Sequence, residues 1–348
     1  MFGMESGSRS AGRVRLKDVA DRAGVSMKTV SNVVHDYEFV SPQMRERVQA
    51  AIDELGYRPN LTARRLATGR TSMIALALPV VDQPYYAEIA RYVGEEAERR
   101  GYRIIVEQTL NDVEAERAVI RDREEGLVDG VIFHPVRIGT LEIARLRPGT
   151  PIVLLGEAAR PLTTDHVMID NTQAARDGVE LLLAENRSRI AFLADVRGDI
   201  TESTHLRLLG YQEALIAAGI QPDPELVLQS DGFTIEDGVA AIAAAIERGI
   251  RFDAVLCRDD TFAMAALRAL QAAGRTVPDE VSVLGWDDTV LAHTSTPALS
   301  AISPDKSAIA TTALDLLEDR MKGYEGTGRH RLAPYTIVER GTTAALQR

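Results

Sequence analysis

The sequence predicts an α plus α/β chain in which a small all-helical head precedes a two-lobed body of parallel α/β structure. Three observations carry this reading. The chain has 348 residues, enough for two or three domains with cores of their own. Its net charge of −11 is unevenly spread: residues 1–70 sum to +4 and residues 71–348 to −15. Beyond residue 72, short apolar runs alternate with helical stretches. Apolar residues make up 45% and charged residues 26% of the chain, as in an ordinary soluble globular protein. Cys257 is the single cysteine, which excludes a disulfide framework and a cysteine-rich metal site. No run approaches the ~18 apolar residues of a membrane span, and the polar, Gly/Ser-rich segment 1–14 reads as a disordered tail rather than a secretory signal. A cytoplasmic protein without membrane contact is expected.

In the head, 15–58, Leu16, Val19, Ala20 and Ala23 fall on one stripe of a short amphipathic helix that Gly24 stops. Ser26 suits the N-cap of a second helix with Val30, Val33 and Val34 turned inward, leaving Lys28 and Asn32 outward one turn apart. Ser41-Pro42 opens a third helix, whose stripe Met44, Val48, Ala51, Ile52 and Leu55 ends at Gly56. Periodicity alone fits a helix-turn-helix and, equally, any small helical bundle packed on a neighbour.

The string Leu16-Lys17-Asp18-Val19-Ala20-Asp21-Arg22-Ala23-Gly24-Val25-Ser26, followed by Thr29-Val30-Ser31, resembles the N-terminal signature of the lactose/galactose repressor family of bacterial transcription regulators. The resemblance implies a sequence-specific DNA-binding regulator, a repressor by default, and no enzyme. It puts Met27, Lys28 and Asn32 at base-reading positions of the recognition helix and Thr29, Ser31 and Ser41 at phosphate-contacting positions. Side-chain chemistry agrees: Lys can donate to guanine, Asn can pair with adenine, and Met offers apolar contact such as to a thymine methyl.

Segment 59–71 holds the good helix formers Leu61 to Ala67, too few for a stable isolated helix. An ordinary linker would look the same. The resemblance makes it a hinge helix that folds on the operator beside its dimer mate, with Leu66 wedged into the central minor groove and Asn60 and Ala63 on the same face. A homodimer on a pseudo-palindromic double-stranded operator follows. The chain's end soon after Tyr335–Val338 leaves no leucine-heptad tail, so a dimer is expected rather than a tetramer.

In the body, 72–340, strand-like runs occur at 73–78, 103–106, 130–133, 152–155, 190–193, 254–256 and 281–284. Gly101, Gly126, Gly219, Gly249 and Gly274 stand where helix C-caps are needed. Strand and helix alternating at this spacing give parallel sheet covered on both faces, in more strands than one lobe needs. The helix 305–321 and the strand 335–338 are expected to cross back between lobes. The resemblance assigns the body to the periplasmic-binding-protein type of effector domain, with a ligand in the cleft.

Ligands of open α/β sheets sit beyond the carboxyl ends of the strands. Residues there include Tyr85, Tyr86, Asp259, Asp260, Asp287 and Asp288, with Arg207 as an outward charge at a helix start. Carboxylates, a guanidinium and aromatic rings suit a carbohydrate. An Asp at a strand end also serves as a helix N-cap, and for Asp259 and Asp260 both readings stand. By resemblance Arg207 and Asp287 are the main effector contacts, Tyr85 and Tyr86 the aromatic pair, and Phe233 and Thr201 to Ser203 further lining. Asp259 stands where the family usually has Asn, and Trp286 where it has Phe or Tyr.

The chain has no G-x-G-x-x-G, no P-loop and no H-E-x-x-H. Its six histidines are scattered, so neither a cofactor nor a metal is expected. The alternative is a sugar-binding or sugar-processing α/β protein without a regulatory role, which would have no use for residues 16–66. The two readings part on DNA. Leu66→Ala is expected to weaken operator binding more than binding to random DNA, because a wedge contributes only where the site is bent open. Lys28→Ala should relax base preference by about 1–3 kcal/mol. Anisotropy titrations on operator and random duplexes check both, and equal losses on the two DNAs would contradict the assignment.

Overall fold

The computed structural model describes residues 14–34, 37, 39–57, 70–121, 127–145, 150–194 and 201–344. The chain divides into two compact units, Met1–Thr71 and Ser72–Arg348.

The first unit is built from α1 (Leu16–Ala23), α2 (Met27–Val34) and α3 (Pro42–Leu55). Val19, Ala20, Ala23, Val30, Val33, Val48, Ala51 and Tyr57 close its core. α1 ends at Gly24, whose φ of 62° is left-handed. A Cβ there would also run into the Arg47 guanidinium, which gives N–H groups to the carbonyls of Ala23 and Gly24 at 2.5 and 2.9 Å. Arg47 thereby holds the turn from α3 and satisfies carbonyls that the end of α1 leaves open. Ser26 accepts from the Thr29 amide at 3.1 Å, and Ser41 caps α3 by accepting from Met44 at 3.4 Å. The hinge residues singled out above, Asn60, Ala63 and Leu66, lie outside the described residues, as does Gly126.

The second unit alternates strand and helix: β1 (Met73–Leu78), α4 (Pro84–Arg99), β2 (Arg103–Gln108), α5 (Val113–Arg121), β3 (Gly130–Phe133), α6 (Thr140–Arg145), β4 (Ile152–Leu155) and β5 (Asp165–Met168). There follow α7 (Asn171–Ala184), β6 (Ile190–Ala194), α8 (Glu202–Ala217), β7 (Val227–Gln229), α9 (Ile235–Glu247), β8 (Ala254–Cys257), α10 (Asp260–Ala272) and β9 (Ser282–Trp286). The chain ends with α11 (Val290–Thr294), β10 (Ser300–Pro304), α12 (Lys306–Met321), β11 (His330–Leu332) and β12 (Tyr335–Val338).

Two six-stranded sheets result, in the orders β11-β5-β4-β3-β1-β2 and β12-β10-β9-β8-β6-β7. The first is parallel throughout, and in the second only β12 runs antiparallel, against β10. The chain passes from the first lobe to the second after β5 and returns through α12, which packs on α4, β3, β4 and β5. β11 then adds to the first sheet and β12 to the second, so the crossing back uses a helix and two strands. Strands β5, β7, β10 and β11 were not among the apolar runs of the sequence.

Gly101, Gly219, Gly249 and Gly274 follow helix ends with φ between 71 and 81°. Gly210 serves a different purpose, letting α8 lie against α7. A Cβ at Gly210 would penetrate the carbonyl oxygen of Thr172 and stand 2.9 Å from the Ala175 methyl. Gly210→Ala should therefore push the helices apart and cost about 1–3 kcal/mol. Thermal denaturation would reveal it as a lowered midpoint, and an unchanged midpoint would show that the backbone gives way freely.

Candidate functional site

The carboxyl ends of both sheets open into one cavity of about 320 Å³, a size suited to a small organic ligand. Tyr85, Tyr86, Arg207, Phe233, Asp259 and Asp287 all line it, as do Thr201 and Ser203. Tyr85 and Tyr86 open α4 and meet edge to face with centroids 5.3 Å apart. Phe233 stands at the rim, 45% exposed, with the Arg258 guanidinium 4.9 Å over its ring.

Arg207 sits in the second turn of α8 and points into the cleft. Its guanidinium lies 4.1 Å over the Trp286 indole, donates to Asn171 Oδ1 at 2.8 Å and donates again to the Arg258 carbonyl. Asn171 in turn donates to Glu157 at 2.6 Å. Stacking on one face and hydrogen bonding at the edge leave the guanidinium one orientation.

The aspartate pairs divide their labour. Asp260 turns inward and accepts the Thr289 amide and hydroxyl at 2.6 and 2.9 Å, and burial holds its carboxyl well above the ordinary range. Asp288 pairs with Arg340 at 2.7 Å. Asp259 fills both of its readings: one oxygen caps α10 by accepting from Phe262 at 2.9 Å, while the other takes Arg258 Nε at 3.0 Å, at the cavity wall. Asp287 is 7% exposed, and its carboxylate accepts no hydrogen bond from any described residue. Burial pushes this carboxyl up to about 6, Asp259 adds to the shift, and Arg207, Lys306 and Arg258 oppose it.

The wall residues His134, Glu157 and Arg258 escaped the sequence reading, as did the buried Asn171 behind the wall. His134, Glu157 and Arg258 each stand one or two positions beyond a strand's carboxyl end, and that rule is the signal that could have found them. His134 faces Tyr86 edge-on at 5.1 Å, and its ring presses on Gly156, where a Cβ would come within 2.5 Å. Burial holds this imidazole down at about 4, so it is neutral, and its Nδ1 has no hydrogen-bond partner of good geometry among the described residues. The cavity therefore presents unmatched hydrogen-bonding groups between aromatic walls, the provision a small polyhydroxylated ligand requires.

On the first unit, Met27 and Lys28 are exposed at the start of α2, Thr29, Ser31 and Asn32 are half-buried on the same helix, and Ser41 is exposed at the head of α3. Side chains capable of reading bases and of gripping phosphates thus share one helix and the cap beside it. No helix among the described residues is long and apolar enough to cross a membrane.

A helix-turn-helix unit followed by a two-lobed, cleft-bearing α/β unit defines a ligand-responsive DNA-binding regulator. Residues 15–60 match the model of bacterial regulatory proteins of the lacI family, and residues 179–343 match that of a periplasmic binding protein-like domain. The HTH-type transcriptional regulator CelR of Thermobifida fusca is 36% identical over 324 residues, covering 89% of this chain and 93% of its own. A solved CelR-cellobiose complex superimposes with a TM-score of 0.69 at 30% identity, over 95% of this chain and all of that one. The Lac repressor dimer bound to operator and the anti-inducer ONPF gives a TM-score of 0.83 at 29% identity, over 95% and 99% of the two chains. The chain belongs to the LacI family of bacterial DNA-binding transcriptional regulators, and its relatives are regulators rather than enzymes.

The buried Asp287 yields a prediction with a definite sign. Its pKa is raised on folding, so the native state holds the proton more tightly than the unfolded chain. The ionised carboxylate is then a net cost that develops as pH rises from about 4 through about 6. Asp287→Asn should raise the melting temperature near neutral pH and lose that advantage toward pH 4. Melting curves across this range check it, and a variant destabilised at every pH would contradict it.

Proposed function

We propose that this protein is a repressor whose grip on a pseudo-palindromic operator is set by a small carbohydrate in the cleft. It works as a homodimer in the cytoplasm, where the chromosome is. The proposed division is a helix-turn-helix domain at 15–58, a hinge at 59–71 and an effector-binding and dimerisation domain at 72–340. One helix-turn-helix contacts too few bases to specify a site, and two related by a two-fold axis read both halves. Met27, Lys28 and Asn32 meet base edges; Thr29, Ser31 and Ser41 meet phosphates; Asn60, Ala63 and Leu66 serve the centre of the site.

The observation that carries the reading is Asp287, buried, without a hydrogen-bond partner for its carboxylate among the described residues, and facing the same cavity as the Arg207 guanidinium and two tyrosines. A charge left unsatisfied in that position is costly unless a ligand completes it. Sugar hydroxyls donate to the carboxylate and accept from the guanidinium, and the rings of Tyr85 and Tyr86 cover a sugar's apolar face. Phe233 and Asp259 complete the rim. The cellobiose held by CelR and the operator held by the Lac repressor dimer support the two ligand classes. A ligand that favours one arrangement of the lobes shifts operator affinity by its differential affinity for the two arrangements.

Arg207→Ala and Asp287→Ala should bind operator like the parent without sugar, yet fail to respond at sugar concentrations that switch the parent, because each leaves buried partners unmatched. Operator binding followed across titrations with a panel of mono- and disaccharides tests this. Normal responses in both variants would make Asp287 a structural residue and Arg207 an incidental charge.

A further inference from the structure

Asp287 and Asp288 both carry left-handed backbone, with φ of 93° and 50°. Two consecutive non-glycine residues in this region are strained, and such strain persists only where the surroundings impose it. The imposing group is Lys306, the first residue of α12, whose buried ammonium donates to the carbonyl of Asp287 and, at 3.2 Å, to that of Asp288. The same ammonium pairs at 2.9 Å with Glu88 Oε2 on α4 of the first lobe. Glu88 Oε1 accepts the Val290 amide at 3.0 Å, from the second lobe. Exposure is low on both sides, 6% for the Lys306 side chain and 21% for Glu88. Arg340 holds Asp288 from behind, and Ile302 accepts the Asp287 amide at 2.8 Å.

The helix that carries Glu88 also carries Tyr85 and Tyr86, one turn or less away. The Glu88–Lys306 ion pair, with the Val290 amide on the other Glu88 oxygen, therefore joins the loop bearing the cleft carboxylate of one lobe to the helix bearing the aromatic wall of the other. We propose that Glu88 and Lys306 form a clasp across the lobes: they are positioning residues that hold Asp287 in its ligand-facing conformation and transmit its movement to α4. This assignment rests on the reading of the cleft as a ligand site, but the clasp also acts in the empty protein.

The clasp has a built-in reporter, because Trp286, beside Asp287 and beneath Arg207, is the only tryptophan of the chain. Full-length parent, Glu88→Gln, Lys306→Met and the double variant are compared first without ligand. Hydrogen exchange of the amides from Asp287 to Val290 should be at least about tenfold faster in Lys306→Met. The double variant should exceed the larger single effect by little, because both changes act through one contact. Exchange in α9, which packs on α10, β6 and β7 away from this loop, should be unchanged, which separates loss of the clasp from general unfolding. Lys306→Arg, which keeps the charge, should exchange more slowly than Lys306→Met.

Tryptophan fluorescence is then followed during titration with cellobiose and with the sugar panel used on operator. Where a sugar moves the parent signal, Lys306→Met should need at least about tenfold more of it. Parental exchange rates at Asp287 to Val290 in Lys306→Met, or multiplied effects in the double variant, would overturn the clasp. If no sugar moves the parent while the exchange pattern holds, the carbohydrate reading fails and the clasp stands.

Discussion

Arg207 lays its guanidinium on the indole of Trp286 and gives hydrogen bonds to Asn171 and to the carbonyl of Arg258, so one side chain of α8 ties together the start of α7, the loop after β8 and the end of β9. The rest of the cleft depends on that placement. Through Asn171 it reaches Glu157 on the first lobe, and through space it lowers the cost of the Asp287 charge. The half-buried guanidinium is held by neutral groups, an amide oxygen, a carbonyl and an indole face, rather than by one carboxylate, which leaves the Asp287 carboxylate open toward the cavity.

Stability and recognition pull against each other here. A cleft lined by apolar residues would be more stable than one holding a raised carboxyl at Asp287 and a buried, neutral imidazole at His134. The cost is borne by the two sheets beneath, whose central strands β1, β3, β4, β6, β8 and β9 are buried almost throughout. Rigid strands deliver the polar residues, and the loops at their carboxyl ends absorb the strained backbone.

Much of the fold was legible in the sequence because buried parallel strands announce themselves as apolar runs. β1, β3 and β4 begin and end where those runs do. The missed strands lack that signature for physical reasons. β11 is exposed along its length, β7 has only three residues, β10 mixes Ser and Pro with apolar residues, and β5 opens on Asp165 and His166, which are buried through Arg320, Arg329 and the Gly156 carbonyl. In the cleft, the six effector-site residues named from the sequence line one cavity. His134, Glu157, Asn171 and Arg258 were not found because single polar residues beyond strand ends carry no pattern until the sheets bring them together. No periodicity could show that Asp260 and Asp288 turn into the structure while Asp259 and Asp287 turn toward the cleft.

In the proposed function, occupancy of this cleft and grip on DNA are two sides of one equilibrium, which thermodynamic linkage makes reciprocal. The most direct test is calorimetric titration of a responsive sugar into the full-length protein, alone and saturated with an operator duplex from the gene's own upstream region. Operator should change the sugar's dissociation constant by the same factor by which the sugar changes the operator's. A sugar affinity identical with and without operator would contradict it.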